Sequence, residues 1–175
     1  LVNGRNLAKI NSIYASEDGR FLIRDGVLLA CARAGAPMSE YVVPEGVHTI
    51  AKGAFNSVED ITKIVLPSTL KTIGDYAFYD CNKLDNVQIP DSVTNLGKFA
   101  FANCFNLNSV KLSAGLTDIP QSAFESTSID NIDIPNGVKN IKSKAFNTSP
   151  VDTLKISESV ESIDASAFRY CSNLK

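Results

Sequence analysis

The apolar residues of this chain recur in a frame of 22 or 23 residues. Each frame opens on two apolar residues separated by one other residue, as in Val87-Gln88-Ile89, and it leads to an Ala-Phe pair. A fixed period of this length predicts stacked structural repeats, each of which buries its apolar face only against its neighbours. The pair occurs six times, with its phenylalanines at Phe55, Phe78, Phe101, Phe124, Phe146 and Phe168.

The pattern within one frame predicts the elements of a repeat. Alternation at its start indicates a half-buried strand, which Pro90 or its equivalent ends because proline has no N–H for a ladder. The spacing around Ala-Phe is helix-like but long enough for only a turn or two. We therefore predict an α/β repeat in the order strand, turn, short extended segment, helical turn and return. Stacked copies give a parallel sheet along the array and a ladder of buried phenylalanines.

The distance from strand to phenylalanine is constant, so the shorter repeats have lost a residue elsewhere. Leu66 to Phe78 and Ile134 to Phe146 are both 12 residues. The missing residue therefore lies after Phe124 and after Phe146, in the outer return turn, where length changes are tolerated best.

The N-terminal segment, residues 1–40, has a different pattern from residues 41–175. Two apolar runs at 21–23 and 27–30 flank Arg24-Asp25-Gly26, which predicts a hairpin with a tight turn. We expect this hairpin to cap or interrupt the array, and Leu7 and Ile10 to be the remnant of an earlier repeat. The absence of an initiator Met and an end within a repeat, at 171–175, predict a fragment of a longer protein.

The segment from Asp85 to Leu107 resembles the consensus of the BspA-like leucine-rich repeats of bacterial surface proteins. The resemblance covers about residues 41–175, and Tyr14 to Gly19 is similar to an interruption found between repeats of that family. It implies a leucine-rich-repeat solenoid of about six repeats. It also implies an extracellular or surface-attached protein that binds proteins of a host matrix or of a neighbouring cell.

Composition narrows the classes of partner. The formal net charge is −2 and the basic residues are not clustered, which argues against nucleic-acid binding. No run of about 18 apolar residues could span a membrane. The chain shows no phosphate-binding loop, and its single histidine, His48, lies between two inward positions, so we expect it outside with a structural role. We predict a non-enzymatic binding module without cofactor or metal; a structural spacer and a carbohydrate-binding module are the alternatives.

Exposed aromatic residues offer the first candidate binding surface. Tyr76 and Phe99 occupy a repeat position that carries Gly, Ser or Lys in the other repeats. Tyr79 and Phe105 flank the same turn, so the four residues should form one protein-binding cluster. The alternative is that these rings pack only on one another.

The outward positions of the predicted strands form the second candidate surface. It contains no aromatic residue, and its charges alternate in sign, so they either contact a partner or pair across strands. A sugar site would need aromatic rings and carboxylates in one groove, which this surface lacks. The residues that we single out here are Lys63, Val65, Gln88, Lys111, Asp133 and Lys155.

Three of the four cysteines, Cys81, Cys104 and Cys171, share the position three residues after the phenylalanine. We expect them to be small buried free thiols rather than disulfides.

Overall fold

A computed structural model describes residues 15–16, 19–32 and 39–174. Within them the chain winds into six coils, numbered here 1 to 6, each with one of the repeated phenylalanines. Each coil contributes two short strands, as the sequence predicts. The strands are β1 (Phe21–Arg24), β2 (Val27–Cys31), β3 (Glu40–Val42), β4 (Thr49–Ile50), β5 (Lys63–Val65), β6 (Thr72–Ile73), β7 (Asn86–Gln88), β8 (Asn95–Leu96), β9 (Ser109–Lys111), β10 (Asp118–Ile119), β11 (Asn131–Ile134), β12 (Asn140–Ile141), β13 (Thr153–Ile156) and β14 (Ser162–Ile163).

The strands stack in parallel into two walls of the solenoid. The first wall, called the strand face, has the order β3-β5-β7-β9 followed by β11-β13. The second wall has the order β1-β2-β4-β6-β8 followed by β10-β12-β14. Exposed and buried residues alternate along the strands, so Ile64 of β5 is buried between the exposed Lys63 and Val65.

The predicted helical turn does not form, and the α/β assignment is wrong: no helix occurs among the described residues. The residues two before and two after each phenylalanine have positive φ, for example 56° at Tyr76 and 61° at Asp80. A left-handed residue at such short intervals prevents the continuous right-handed backbone that a helix needs.

Alternate N–H groups of these turns bond to the next coil instead of along a helix. The N–H of Phe78 donates to the carbonyl of Ala100 at 2.7 Å, while the intervening Ala77 N–H donates to Gly74 within its own turn at 3.2 Å. The turns therefore form a third hydrogen-bonded wall, which gives alternate N–H groups an acceptor without a helix.

The predicted phenylalanine ladder forms the core. Phe55, Phe78, Phe101, Phe124 and Phe146 are fully buried, and Phe168 is partly buried. Successive rings stack nearly parallel, with centroids 4.8 to 5.5 Å apart. Ala77 and its equivalents beside the rings are also buried, which explains why a small residue is required there.

The predicted hairpin is present and packs on coil 1. Strands β1 and β2 pair antiparallel, and β2 pairs parallel with β4. Asp25 and Gly26 have φ values of 50° and 71°, as a tight turn demands. Phe21 and Tyr41 pack edge-on or tilted against Phe55 and one another, which closes the first end of the ladder. Leu7 and Ile10 lie outside the described residues.

Both strand walls are interrupted, contrary to the prediction of one sheet along the array. On the strand face the ladder stops between β9 and β11, at the boundary where the repeat shortens from 23 to 22 residues. In the second wall it stops between β8 and β10, because Pro120 has no N–H. At the same position in other coils, the backbone N–H groups of Gly74, Gly97 and Lys142 donate to carbonyls of the preceding coil.

Glycine at that position also sets the spacing of the coils. A Cβ on Gly97 would lie 2.3 Å from the backbone nitrogen of Asp75, so only glycine fits there. Coils 1 to 3, which contain Gly74 and Gly97, stack their phenylalanines 4.8 and 4.9 Å apart. From coil 3 onward, where larger residues follow, the rings are 5.2 to 5.5 Å apart.

Candidate functional site

The structure brings three of the four predicted aromatic residues together on the turn side. The rings of Tyr76 and Phe99 stack with centroids 4.9 Å apart and planes at 6°. Tyr79 meets Tyr76 edge-on at 5.6 Å. The Lys52 ammonium lies 5.8 Å from the Tyr76 ring centroid, within cation–π range. We call Tyr76, Tyr79 and Phe99 the aromatic patch.

A hydrogen bond from the next coil holds the Tyr79 side chain in place. The Asn103 side-chain amide donates a hydrogen bond to the Tyr79 hydroxyl at 2.8 Å. Ala102, at the coil 3 position equivalent to Tyr79, is fully buried, whereas other coils carry Glu125 or Arg169 there. The patch therefore spans coils 2 and 3.

Phe105 lies outside the patch. It is 53% exposed, and within the described part of the chain its ring makes no aromatic contact. The fourth residue of the predicted cluster is thus a separate exposed ring on the return turn.

The two stacked residues have an unfavourable backbone. Tyr76 and Phe99 both have φ of 56°, in the left-handed region that bulky side chains rarely adopt. The same position holds Gly53 in coil 1 and Ser122 in coil 4. The stack confirms that the two rings pack on one another, which was the alternative to a binding cluster. Both residues nevertheless remain partly exposed.

The strand face carries the second set of predicted residues, and some of its charged side chains form ion pairs while others do not. Lys63 pairs with Glu40 at 2.9 Å, and Lys155 pairs with Asp133 at 3.0 Å. Lys111 forms no ion pair with any described residue. Asp133 lies across the break between β9 and β11, and the register of β11 with β13 places it beside Lys155. Charge pairing across strands is therefore confirmed for Asp133 and Lys155 and wrong for Lys111.

Two shallow grooves cross this face. One, of about 380 Å³, includes Lys63, Val65, Gln88 and Lys111 in its lining. The other, of about 600 Å³, lies over the break in the ladder and is lined by Lys111, Asp133 and Lys155 among others.

Cys81, Cys104 and Cys171 are buried free thiols, as predicted. The Cys81 thiol donates to the Phe55 carbonyl at 3.2 Å, and the Cys104 thiol donates to the Phe78 carbonyl at 3.1 Å. In the shortened repeat the Ser149 hydroxyl donates to the Phe124 carbonyl at 2.9 Å in the same way. A hydrogen bond with the Cys81 thiol and burial raise the pKa of Cys104 well above its usual range, so this thiol stays protonated.

His48 is exposed and holds the hairpin in place, which agrees with the predicted structural role. Its Nε2 donates to the Asp25 carbonyl at 3.0 Å, and its backbone N–H donates to Gly26 at 2.9 Å. No group of three or more possible metal ligands occurs in residues 15–16, 19–32 and 39–174. Over the same residues no helix is long and apolar enough to cross a bilayer.

Two exposed residues were missed by the sequence reasoning. Tyr170 is 65% exposed, and the Arg169 guanidinium lies 4.6 Å from its ring centroid. Val42, at the start of the strand face, is 57% exposed. Tyr170 could have been found from its repeat position, where the other coils carry Ser, Thr, Asp or Asn.

Comparison with known families gives one match. The sequence model of the BspA type leucine rich repeat region matches residues 48–175 in six copies. No curated protein matches the sequence.

Solved structures share the fold. A leucine-rich repeat protein from Eubacterium ventriosum has 22% identity and a TM-score of 0.66, over 90% of this chain and 51% of that one. A leucine rich cell surface protein from Faecalibacterium prausnitzii has 22% identity and a TM-score of 0.51, over 79% of this chain and 59% of that one. The present chain therefore corresponds to little more than half of either solved chain.

Proposed function

Because the chain belongs to the BspA type leucine-rich repeat family, we propose that it is a non-enzymatic protein-interaction module of a cell-surface protein. Its partner is a protein of the host matrix or of a neighbouring cell, and the aromatic patch is the surface that contacts it. The similar protein from F. prausnitzii, which is described as a cell surface protein, supports the location.

Aromatic rings at the left-handed position of coils 2 and 3, where the other coils carry Gly, Ser or Lys, are the observation that carries this proposal. A left-handed conformation costs a residue with a Cβ roughly 1–2 kcal/mol, and more crowded side chains tolerate it least. Gly53 avoids this cost at the same position. The phenylalanine ladder does not require these rings, since coils without them stack equally in parallel. The fold imposes the left-handed conformation in every coil, so it is the choice of two adjacent rings for this position that points to a contact surface.

The patch also has groups left for a partner. All three rings are partly exposed, and the Tyr76 hydroxyl has no hydrogen-bond partner among the described residues. Aromatic side chains contribute most of the energy in many protein interfaces because they bury large areas with few rotatable bonds. The Lys52 ammonium beside Tyr76 adds a charge at the rim.

The observations favour binding over catalysis. The only histidine holds the hairpin, and the buried thiols donate to backbone carbonyls. These are structural uses of the residues that could otherwise act as base or nucleophile.

Binding should be measured on a panel of separately immobilised extracellular-matrix proteins and glycans. With any protein that binds the wild-type chain, Tyr76→Ser combined with Phe99→Ser should weaken binding at least about tenfold. The substitutions match residues found in sister coils, so the melting temperature should not fall. Tyr170→Ser, which removes an exposed ring outside the patch, is the matched control and should bind normally.

Three results would count against the proposal. Equal effects of the double variant and of Tyr170→Ser would remove the patch as the contact surface. Binding to glycans alone would favour the carbohydrate-binding alternative. Binding to no member of the panel would favour the structural spacer.

A further inference from the structure

We propose that the smaller groove of the strand face is a carboxylate-binding site with Lys111 as its anchor. Its ligand is an extended acidic peptide segment of a partner protein. This site is separate from the aromatic patch and does not depend on it.

The charge of the groove favours a carboxylate ligand. Two lysines, Lys63 and Lys111, line it, and none of the described residues in its lining is acidic. The charge of Lys63 is already balanced by Glu40 at 2.9 Å. Lys111 forms no ion pair with a described residue: Asp133, which lines the larger groove with Lys111 and Asp91, pairs with Lys155 instead. A single uncompensated cation thus lies at one end of the groove.

A row of outward side chains leads along the groove to Lys111. Val65, Gln88 and Lys111 occupy the same outward position in three successive coils. Val65 is 40% exposed, and the exposed Gln88 side chain forms no hydrogen bond with any described residue. The row therefore offers an apolar contact, a free amide and a free ammonium in that order.

The spacing of this row fits a peptide. Neighbouring strands lie about 4.8 Å apart, so the three residues span roughly 10 Å along the array. A peptide in the extended polyproline II conformation covers that distance in about three residues, and its turn of three residues brings the first and fourth side chains to the same side. A peptide running along the array could place an apolar side chain on Val65, hydrogen-bond Gln88 and direct a carboxylate at Lys111. The charged pair is partly screened by water, so we expect weak affinity for a short peptide.

The probe is acetyl-Val-Ser-Ser-Glu-amide, titrated at low salt into the isotope-labelled chain and followed by nuclear magnetic resonance. We expect shift changes in β5, β7 and β9 and a dissociation constant of about 1 mM. The uncharged peptide acetyl-Val-Ser-Ser-Gln-amide should bind about three- to fivefold more weakly, as expected for the loss of one exposed ion pair. Lys111→Gln should cause the same loss, whereas Lys155→Gln, at a paired lysine of the same row, should not.

Several outcomes would overturn the site. These are no shift on the strand face up to about 10 mM peptide, equal binding of the two peptides, and equal losses in the two lysine variants. Both lysines are exposed, so either variant should keep the wild-type melting temperature. Because the aromatic patch is not part of this test, failure here would leave the proposed function standing.

Discussion

Replacing Phe101 by alanine cuts the phenylalanine ladder in its middle. The ring is fully buried and stacks on Phe78 at 4.9 Å and on Phe124 at 5.5 Å. The neighbouring coils cannot easily close the gap, because backbone hydrogen bonds fix their separation: the Phe101 N–H donates to Ala123 at 2.8 Å.

The expected loss follows from these contacts. Burial of a phenylalanine side chain stabilises a fold by about 2–3 kcal/mol. Each ring stack adds about 0.5–1.5 kcal/mol, and two are lost. Partial relaxation around the cavity returns some of this, so we expect the free energy of unfolding to fall by about 3–5 kcal/mol.

Urea unfolding followed by far-ultraviolet circular dichroism measures this loss. Phe105→Ala is the matched control, since it removes a phenylalanine from the same coil that is 53% exposed, and should cost at most about 0.5 kcal/mol. A loss below about 1 kcal/mol for Phe101→Ala, or equal losses in the two variants, would refute the ladder as the main stabilising element.

Three further predictions concern buried polar groups. Ser149→Ala should lower the free energy of unfolding by about 1–2 kcal/mol, because the buried Thr127 N–H, which donates to the Ser149 hydroxyl at 3.3 Å, loses its acceptor. Ser149→Cys, which restores the residue of sister coils, should cost less than about 1 kcal/mol in the same urea assay. Burial raises the pKa of Tyr41, so the neutral form stabilises the fold fully below about pH 10 and stability falls as the pH rises further. When the pH is raised from about 9 to about 11, the melting temperature of Tyr41→Phe should therefore fall less than that of the wild type. Iodoacetamide at neutral pH should modify Cys81 and Cys104 only after unfolding, and a disulfide between them in non-reducing mass spectrometry would contradict the free-thiol structure.

The core was predictable because stacking forces the same residue into the same position of every coil. Phe55 to Phe146 repeat for that reason, and the hairpin was visible from Asp25-Gly26 between two apolar runs. The turn conformation was not predictable, because the left-handed residues two before and two after each phenylalanine are of many different types. Gly53 is of a type that favours positive φ, whereas Tyr76 and Phe99 are of types that rarely adopt it.

The surface was harder to predict than the core because it depends on distances between coils. The residue types at Asp133 and Lys155 suggested pairing, but only the register of β11 with β13 shows that Lys111 is excluded from it. The break in the second wall was readable in principle. Pro120 is the only proline at a position where the other coils carry Ala, Gly, Lys or Asp.

The two breaks in the strand walls fall at different coil boundaries. Between coils 3 and 4 the second wall is open, but β7 and β9 remain paired on the strand face. Between coils 4 and 5 the strand face is open, but β10 and β12 remain paired. The turn wall is continuous across both boundaries, through the N–H groups of Phe101 and Phe124. A pulling force along the array therefore meets no plane of easy separation, since at each boundary it must break one strand pairing and the turn bonds together. Coil 4 is paired with coil 3 on the strand face and with coil 5 on the second wall, so neither joint depends on the turn bonds alone.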